Sequence, residues 1–276
     1  MAWLRRKQAN GSGEDLEPSE LGVELSPQRF EQILQQLFES LESDGGVERY
    51  AAALKMKSEL FGRLLAPDAL SQLDEEGRDT VLERIFSVRR RLAPTLREME
   101  LSQFRALVGE LLHGKGGVEE RMEAFIEALP CEGKACRARR DLAADLLHFY
   151  DPGRYPLMSR WVWDVNTDSG ALRELVPHSD QITQLPTGGE PGVYLTLRNW
   201  VKEQLEAQSF YRDLDLMVDL LLAQVYAQYI KAMAEGMLRT DFGGNSEDPS
   251  EHVRKLLGID EQRLKGRSRL KDETEE

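Results

Sequence analysis

Two short segments of the sequence place a carboxylate three residues before a histidine: Glu110-Leu-Leu-His113 and Asp145-Leu-Leu-His148. Residues three apart lie on one face of an α-helix, so each segment can present an oxygen ligand beside a nitrogen ligand. Elements of the form Glu-x-x-His supply part of the metal site in di-iron and di-manganese helix bundles. One hypothesis is therefore a carboxylate-bridged metal protein with iron or manganese. Its ligands would be Glu110, His113, Asp145 and His148.

Both histidines also stand in the last turn of a predicted helix. A histidine there interacts favourably with the helix dipole and with the terminal carbonyl groups, and it needs no metal to do so. We take this structural role as the main interpretation of His113 and His148, and we expect no cofactor. Iron or manganese bound by these residues is the alternative.

Arginine and large aromatic side chains are concentrated between residues 154 and 163. Trp, Tyr and Arg are the residues that most often anchor protein interfaces. The predicted contact surface consists of Arg154, Tyr155, Arg160, Trp161 and Trp163. A second predicted patch, whose positive charge can hold an acidic surface, consists of Arg89, Arg90 and Arg91.

Motifs of the common enzyme classes are missing from the sequence. It contains no G-x-x-x-x-G-K-[ST] loop, no G-x-G-x-x-G turn, no G-x-S-x-G elbow and no H-E-x-x-H helix. Nucleotide-driven, hydride-transfer and serine-hydrolase chemistry is therefore not expected. Together with the aromatic and arginine residues, this predicts a non-catalytic accessory or adaptor protein that binds another protein.

Residues 128–164 resemble the helix-hairpin-helix DNA glycosylases in the order of their elements. An apolar helix is followed by Asp-Pro at 151–152, by Tyr-Pro at 155–156 and by a short apolar segment. In that family a corresponding proline is followed closely by the catalytic aspartate, whereas here Met158 and Ser159 follow. The resemblance implies a helical nucleic-acid-binding module that lacks the catalytic aspartate, and this is a second alternative.

Acidic residues outnumber basic ones by 49 to 36, which gives a formal net charge of −13. Non-specific phosphate binding needs a concentrated Lys/Arg surface, so nucleic acid is not an expected partner. If it does bind, the contacts are expected at the basic residues 89–91 and 137–140. A partner protein is expected instead, and a homo-oligomer is left open.

Neither a secretory signal nor a membrane span is indicated. The first 20 residues lack the apolar core of a signal peptide, and the strongest apolar run, residues 216–223, is far shorter than the ~20 residues that cross a bilayer. We expect a cytoplasmic protein with no membrane partner. Its two cysteines, Cys131 and Cys136, are too few for a disulfide framework and are expected to be reduced thiols.

Apolar residues that recur with a period of 3.6 predict an all-α, multi-helix single domain of about eight to ten helices over residues 26–258. The flanking segments, 1–25 and 259–276, are predicted to be flexible, charged tails, because they are polar and lack periodicity. The centre, 151–192, is irregular and rich in proline and tryptophan. It permits one short hairpin near Asp168-Ser169-Gly170, and it is where two subdomains would join.

Asp219 interrupts the apolar run of residues 216–223. A carboxylate buried without a partner is costly, so burial here requires a nearby cation. Arg198 and Arg212 are the predicted candidates for a structural ion pair. A functional carboxylate in a cleft is the alternative.

Overall fold

Helices build the part of the chain that the computed structural model describes, residues 16–238 and 249–260. Within these ranges there are twelve α-helices and two 3-10 helices, and strand pairing is limited to one isolated bridge between Asp164 and Ser169. The α-helices are α1 (Pro27–Glu42), α2 (Gly46–Leu65), α3 (Pro67–Ser71), α4 (Glu75–Glu83), α5 (Ala93–Glu98), α6 (Leu101–His113), α7 (Val118–Ala128), α8 (Ala138–Tyr150), α9 (Ala171–Leu175), α10 (Pro191–Ala207), α11 (Leu214–Leu238) and α12 (Pro249–Leu257). The all-α prediction is confirmed, and the hairpin is reduced to the single bridge.

Three very short helices explain why the number of helices exceeds the predicted eight to ten. Helices α3 and α9 have five residues each and α5 has six, which is less than two turns and too short for a helical period to show in the sequence. Longer helices follow their sequence signals. Helix α1 begins as predicted, because Ser26 Oγ accepts a hydrogen bond from the Arg29 amide at 3.1 Å and Pro27 is the first helical residue.

The described parts of the two predicted tails, residues 16–25 and 259–260, belong to the packed structure rather than to flexible ends. Thr187 donates its hydroxyl to the carbonyl of the buried Leu21 at 2.5 Å, and Ile259 is buried at the other end of the chain. The first and last residues of the described ranges therefore contribute to the core. The tail predictions for residues 1–15 and 261–276 lie outside the described residues.

Helices α8 and α11 supply the most completely buried segments of the fold. Ten of the thirteen residues of α8 are buried, and residues 216–225 of α11 are buried on every face. Helix α11 packs against α1, α2, α9, α10 and α12, while α8 packs against α2, α6 and α7. A polar side chain on either helix is cut off from water, so it needs a partner from a neighbouring element.

Helix α11 is the longest described helix, with 25 residues. Asp215 and Asp219 interrupt its apolar sequence. In the described part of the chain, no helix combines the length and the apolarity that crossing a bilayer requires.

Candidate functional site

A histidine and an aspartate form an ion pair inside the core. His148 Nε2 lies 2.8 Å from Asp219 Oδ2, and His148 Nδ1 lies 2.8 Å from the carbonyl oxygen of Tyr155. A carbonyl oxygen only accepts, so Nδ1 carries a proton. Burial lowers the pKa of His148, but the Asp219 carboxylate and the Tyr155 carbonyl raise it by more, so the net shift is upward. The raised pKa favours the imidazolium form of His148, in which Nε2 donates to the Asp219 carboxylate.

Asp219 thus has the buried cationic partner that its position requires, but the partner is not the one predicted. Arg198 instead donates to the Pro152 carbonyl at 2.9 Å and lies 3.7 Å from Asp215, while Arg212 is exposed. The ion-pair prediction is confirmed and both named partners are wrong. His148 is 71 positions away in the sequence, and only tertiary packing makes it a neighbour.

Asp145 and Lys57 add a second acid and a second base to this part of the core. Ser159 Oγ donates to Asp145 Oδ1 at 2.6 Å. Lys57 Nζ donates to the carbonyls of Arg84 at 2.9 Å and Leu257 at 2.7 Å. Burial raises the pKa of Asp145 to about 6 and lowers the pKa of Lys57 to about 7, and the charge of each group partly offsets the shift of the other.

We call Lys57, Asp145, His148 and Asp219 the buried charge cluster. These residues are between 1% and 4% exposed. Ligand sites in proteins are normally open clefts or cavities. Lys57 lines a cavity of about 300 Å³, but all four side chains are already hydrogen-bonded inside the protein. The cluster therefore acts as an internal tie between α2, α8 and α11.

The four side chains of the metal hypothesis are not brought together. Glu110 and His113 are exposed at the end of α6, where His113 Nε2 lies 2.9 Å from the Leu65 carbonyl oxygen. Asp145 and His148 instead lie in the core. Among the described residues, no three His, Cys, Asp or Glu side chains are grouped as metal ligands. The two carboxylate-histidine pairs therefore do not form one site in this conformation.

Two aromatic residues of the predicted contact surface lie in the core. Tyr155 is 3% exposed and Trp163 is 1% exposed, and the indole Nε1 of Trp163 donates to the Gly188 carbonyl at 2.8 Å. Dense aromatics indicate either an interface or a packed junction, and here they form the junction between α8 and the irregular centre. Neither side chain is available to a partner in this conformation.

The remaining residues of that surface are only partly accessible. Arg160 is half-buried and pairs with Asp141 at 2.7 Å. Trp161 is also half-buried, with its ring 6.2 Å from that of Tyr226. Arg154 alone among the five predicted residues is fully exposed. The segment therefore offers much less contact surface than its composition indicates.

The second predicted patch, residues 89–91, is also partly buried and partly exposed. Arg89 is buried and pairs with Asp260 at 2.8 Å, whereas Arg90 and Arg91 are exposed. The other basic cluster is partly engaged as well, since Arg140 donates to a backbone carbonyl at 2.6 Å. Fewer guanidinium groups are thus left for phosphates or an acidic partner than the sequence indicates.

Two surface grooves flank helix α1, and the sequence predicts neither. The first, which we call the aromatic groove, has a volume of about 490 Å³. The Phe38 and Phe210 rings stack in it with centroids 5.5 Å apart. The sequence pattern groups Phe38 with the buried stripe of α1, but Phe38 directly follows Leu37 and is turned about 100° from it. Leu37 is fully buried, whereas Phe38 is 36% exposed.

The second groove, which we call the α1–α11 groove, runs between those two helices and has a volume of about 910 Å³. Residues of α9 and of the following 3-10 helix, Ser179–Gln181, close one end. Its lining includes Arg29, Ile33, Glu174, Gln224, Gln228 and Met233. No sequence signal predicts such a groove, because it depends on how far apart two helices pack.

Cys131 and Cys136 are joined in a disulfide around the 3-10 helix Gly133–Arg137. The prediction of two reduced thiols is therefore wrong for this structure. The tight turn brings the two Cα atoms to 5.1 Å, which lies within the range that a disulfide spans. The bond closes a short local loop and links no distant elements.

Comparisons of the chain with protein-family models, with curated proteins and with solved structures find no match.

Proposed function

We propose that this protein is a non-catalytic accessory or adaptor protein that binds a partner protein through the aromatic groove. The observation that carries the proposal is the exposure of neighbouring aromatic rings. Phe38 is 36% exposed and stacks on Phe210, and Tyr211, the next residue, is 70% exposed. Clustered, exposed apolar side chains mark interaction sites, and Phe and Tyr are enriched at the centres of protein interfaces.

The acidic side chains around the aromatic groove favour a basic partner. Glu31 and Glu39 are exposed at its rim, and Glu31 accepts a hydrogen bond from Gln208 at 3.2 Å. The net charge of −13 extends this acidic character to the whole chain. Complementary charge speeds encounter and rejects wrong partners. The proposed partner therefore presents a segment in which Lys or Arg flanks an apolar side chain, and the apolar side chain packs against Phe38.

The non-catalytic part of the proposal is supported by the enclosure of the buried charge cluster and by the missing enzyme motifs. The contact surface moves from residues 154–163 to helix α1, because Tyr155 and Trp163 are used in the core. A cytoplasmic location stays a prediction of the sequence analysis.

Peptide selection tests the proposal. A heptapeptide library displayed on phage is selected on the purified full-length protein, and synthetic copies of enriched peptides are measured by fluorescence anisotropy. We expect peptides with an aromatic or aliphatic residue between basic ones. Phe38→Ala is expected to weaken their binding at least tenfold, about 1.4 kcal/mol, since interface anchors cost this much or more.

Met56→Ala is the matched control, because Met56 is 69% exposed on α2 and lies outside both grooves. It is expected to bind the peptides as tightly as wild type. Tyr211→Ala is a second test variant at a still more exposed position, in case Phe38→Ala loses helical content. The proposal would be overturned by basic peptides that bind both Phe38→Ala and Tyr211→Ala as tightly as wild type, or by a selection that enriches no such peptides.

A further inference from the structure

We infer that the α1–α11 groove is a second binding site, which takes an extended, uncharged polypeptide segment and pairs its backbone with the carboxamide of Gln224. This site is separate from the aromatic groove. The α1 residues that line it, among them Arg29 and Ile33, lie on the opposite flank of the helix from Leu34 and Phe38. The two grooves share only the exposed Glu39 among their lining residues.

Gln224 is the residue that points to a ligand. It is 1% exposed, it lines the groove, and within the described structure its Oε1 atom has no hydrogen-bond partner. Nearly all buried polar side-chain atoms in native proteins are hydrogen-bonded, so each exception needs an explanation. A ligand that lies in the groove and donates an N–H group would supply the missing partner when the buried carboxamide turns toward it.

The chemistry of a carboxamide narrows the ligand to a backbone. Its oxygen accepts and its NH₂ group donates, which matches the adjacent N–H and C=O groups of a peptide chain. In a helical peptide these groups are bonded within the helix, whereas in an extended peptide they are free to bond to the protein. The unpaired Oε1 atom of Gln224 therefore favours an extended segment, which has free N–H groups, over a docked helix.

The shape of the groove fits a polymer. Its lining extends from Arg29 to Ser40 along α1 and from Gln224 to Met233 along α11. At 1.5 Å per residue these stretches are about 16 Å and 14 Å long. An extended chain advances about 3.3 Å per residue, so four or five residues fill this length.

The charges along the groove cancel, unlike those of the aromatic groove. Three cationic residues and three acidic residues line it. Some of them already have partners: Arg173 pairs with Asp168 and donates to the Ser179 carbonyl at 2.7 Å. A ligand with a large net charge gains little here. Apolar contact is available from Met233, which lines the groove and is 45% exposed.

Uncharged peptides from a heptapeptide phage selection on the full-length protein test this inference. Gln224→Met keeps the length of the side chain but removes both hydrogen-bonding groups. We expect it to weaken binding of these peptides at least tenfold in fluorescence anisotropy, with a melting temperature equal to or above that of wild type. Met56→Ala, at an exposed position outside both grooves, is the matched control and is expected to bind them normally.

Two further measurements separate backbone pairing from other modes of binding. N-methylation of a single central amide of the peptide is expected to abolish binding, while the peptide methylated at its terminal amide binds as before. Met233→Arg, at an exposed position, is expected to block the groove even if Gln224→Met proves unstable. The inference is overturned if no uncharged peptide is enriched, if bound peptides are helical by circular dichroism, or if neither groove variant weakens binding.

Discussion

Replacing Asp219 with alanine is expected to lower the free energy of unfolding by about 3–4 kcal/mol at pH 7. The side chains of Asp219 and His148 are 2% and 1% exposed, so water does not screen their interaction. Removing one partner of such a buried pair typically costs about 3–5 kcal/mol. The lower end applies because His148 can release its proton once the carboxylate is gone, which leaves an unpaired Nε2 atom rather than an uncompensated charge.

The pH dependence of this stability loss tests the His148–Asp219 pair more sharply than its size at pH 7. Asp219 raises the pKa of His148 above its unfolded value, so the stability that the pair contributes is fully present below pH ~6.5 and is lost as pH rises through the folded pKa. In Asp219→Ala, burial instead keeps His148 neutral, and the unfolded chain gains protons below pH ~6.5. The deficit relative to wild type is therefore expected to grow by about 1 kcal/mol between pH 8 and pH 5.5.

Urea unfolding followed by circular dichroism at these two pH values measures both effects. Asp215→Ala is the matched control: Asp215 lies one turn earlier on α11, is 28% exposed and pairs with Lys202 at 2.5 Å. Partly exposed pairs contribute about 0–1 kcal/mol. If Asp219→Ala costs no more than Asp215→Ala, or if its deficit shrinks toward pH 5.5, the assignment of a buried imidazolium is wrong.

Two further predictions concern the hydrogen bonds of Lys57 and the disulfide. Lys57→Met is expected to lower the free energy of unfolding by about 3 kcal/mol, because the Arg84 and Leu257 carbonyls lose their hydrogen-bond donor. Amide hydrogen exchange should accelerate more at the end of α12 than at the end of α3. Equal acceleration at the two ends would count against the role of Lys57 in holding α12. Replacing both Cys131 and Cys136 with serine is expected to lower the free energy of unfolding by about 2 kcal/mol, which is the entropy of closing so short a loop. Dithiothreitol should lower the unfolding midpoint of wild type and leave that of the variant unchanged.

Helices were predictable where the signal is local. Ser26 and Pro27 mark the start of α1 in the sequence and perform those roles in the structure. The buried face of α1 is also predictable, but Phe38 is misplaced. The apolar residues that recur at helical spacing there form a set wider than the buried stripe, and they are Phe30, Ile33, Leu34, Leu37, Phe38 and Leu41. An exposed residue at the edge of an apolar pattern is distinguished only by what packs beside it, and here that is Phe210 from a distant loop.

The partner of Asp219 was not predictable for a related reason. The sequence shows that a buried carboxylate needs a cation, and it offers arginines nearby on the chain. It does not show that His148 lies beside Asp219, or that this carboxylate raises the pKa of His148 and so favours its cationic form. Trp163 illustrates the same limit, since one indole serves equally as an interface anchor or as a core residue, and its burial depends on tertiary packing.

The buried charge cluster explains why residues that resemble a metal site are present without forming one. Asp145 and His148 share a face of α8, but each has its own partners: a hydroxyl for the aspartate, and a carboxylate and a carbonyl for the histidine. With Lys57 and Asp219 the cluster has two bases and two acids. Each group alone would be expensive to bury, whereas the set is close to neutral and hydrogen-bonded. Single substitutions break that balance, so we expect them to cost more than the joint replacement of His148 and Asp219 by apolar residues of similar volume.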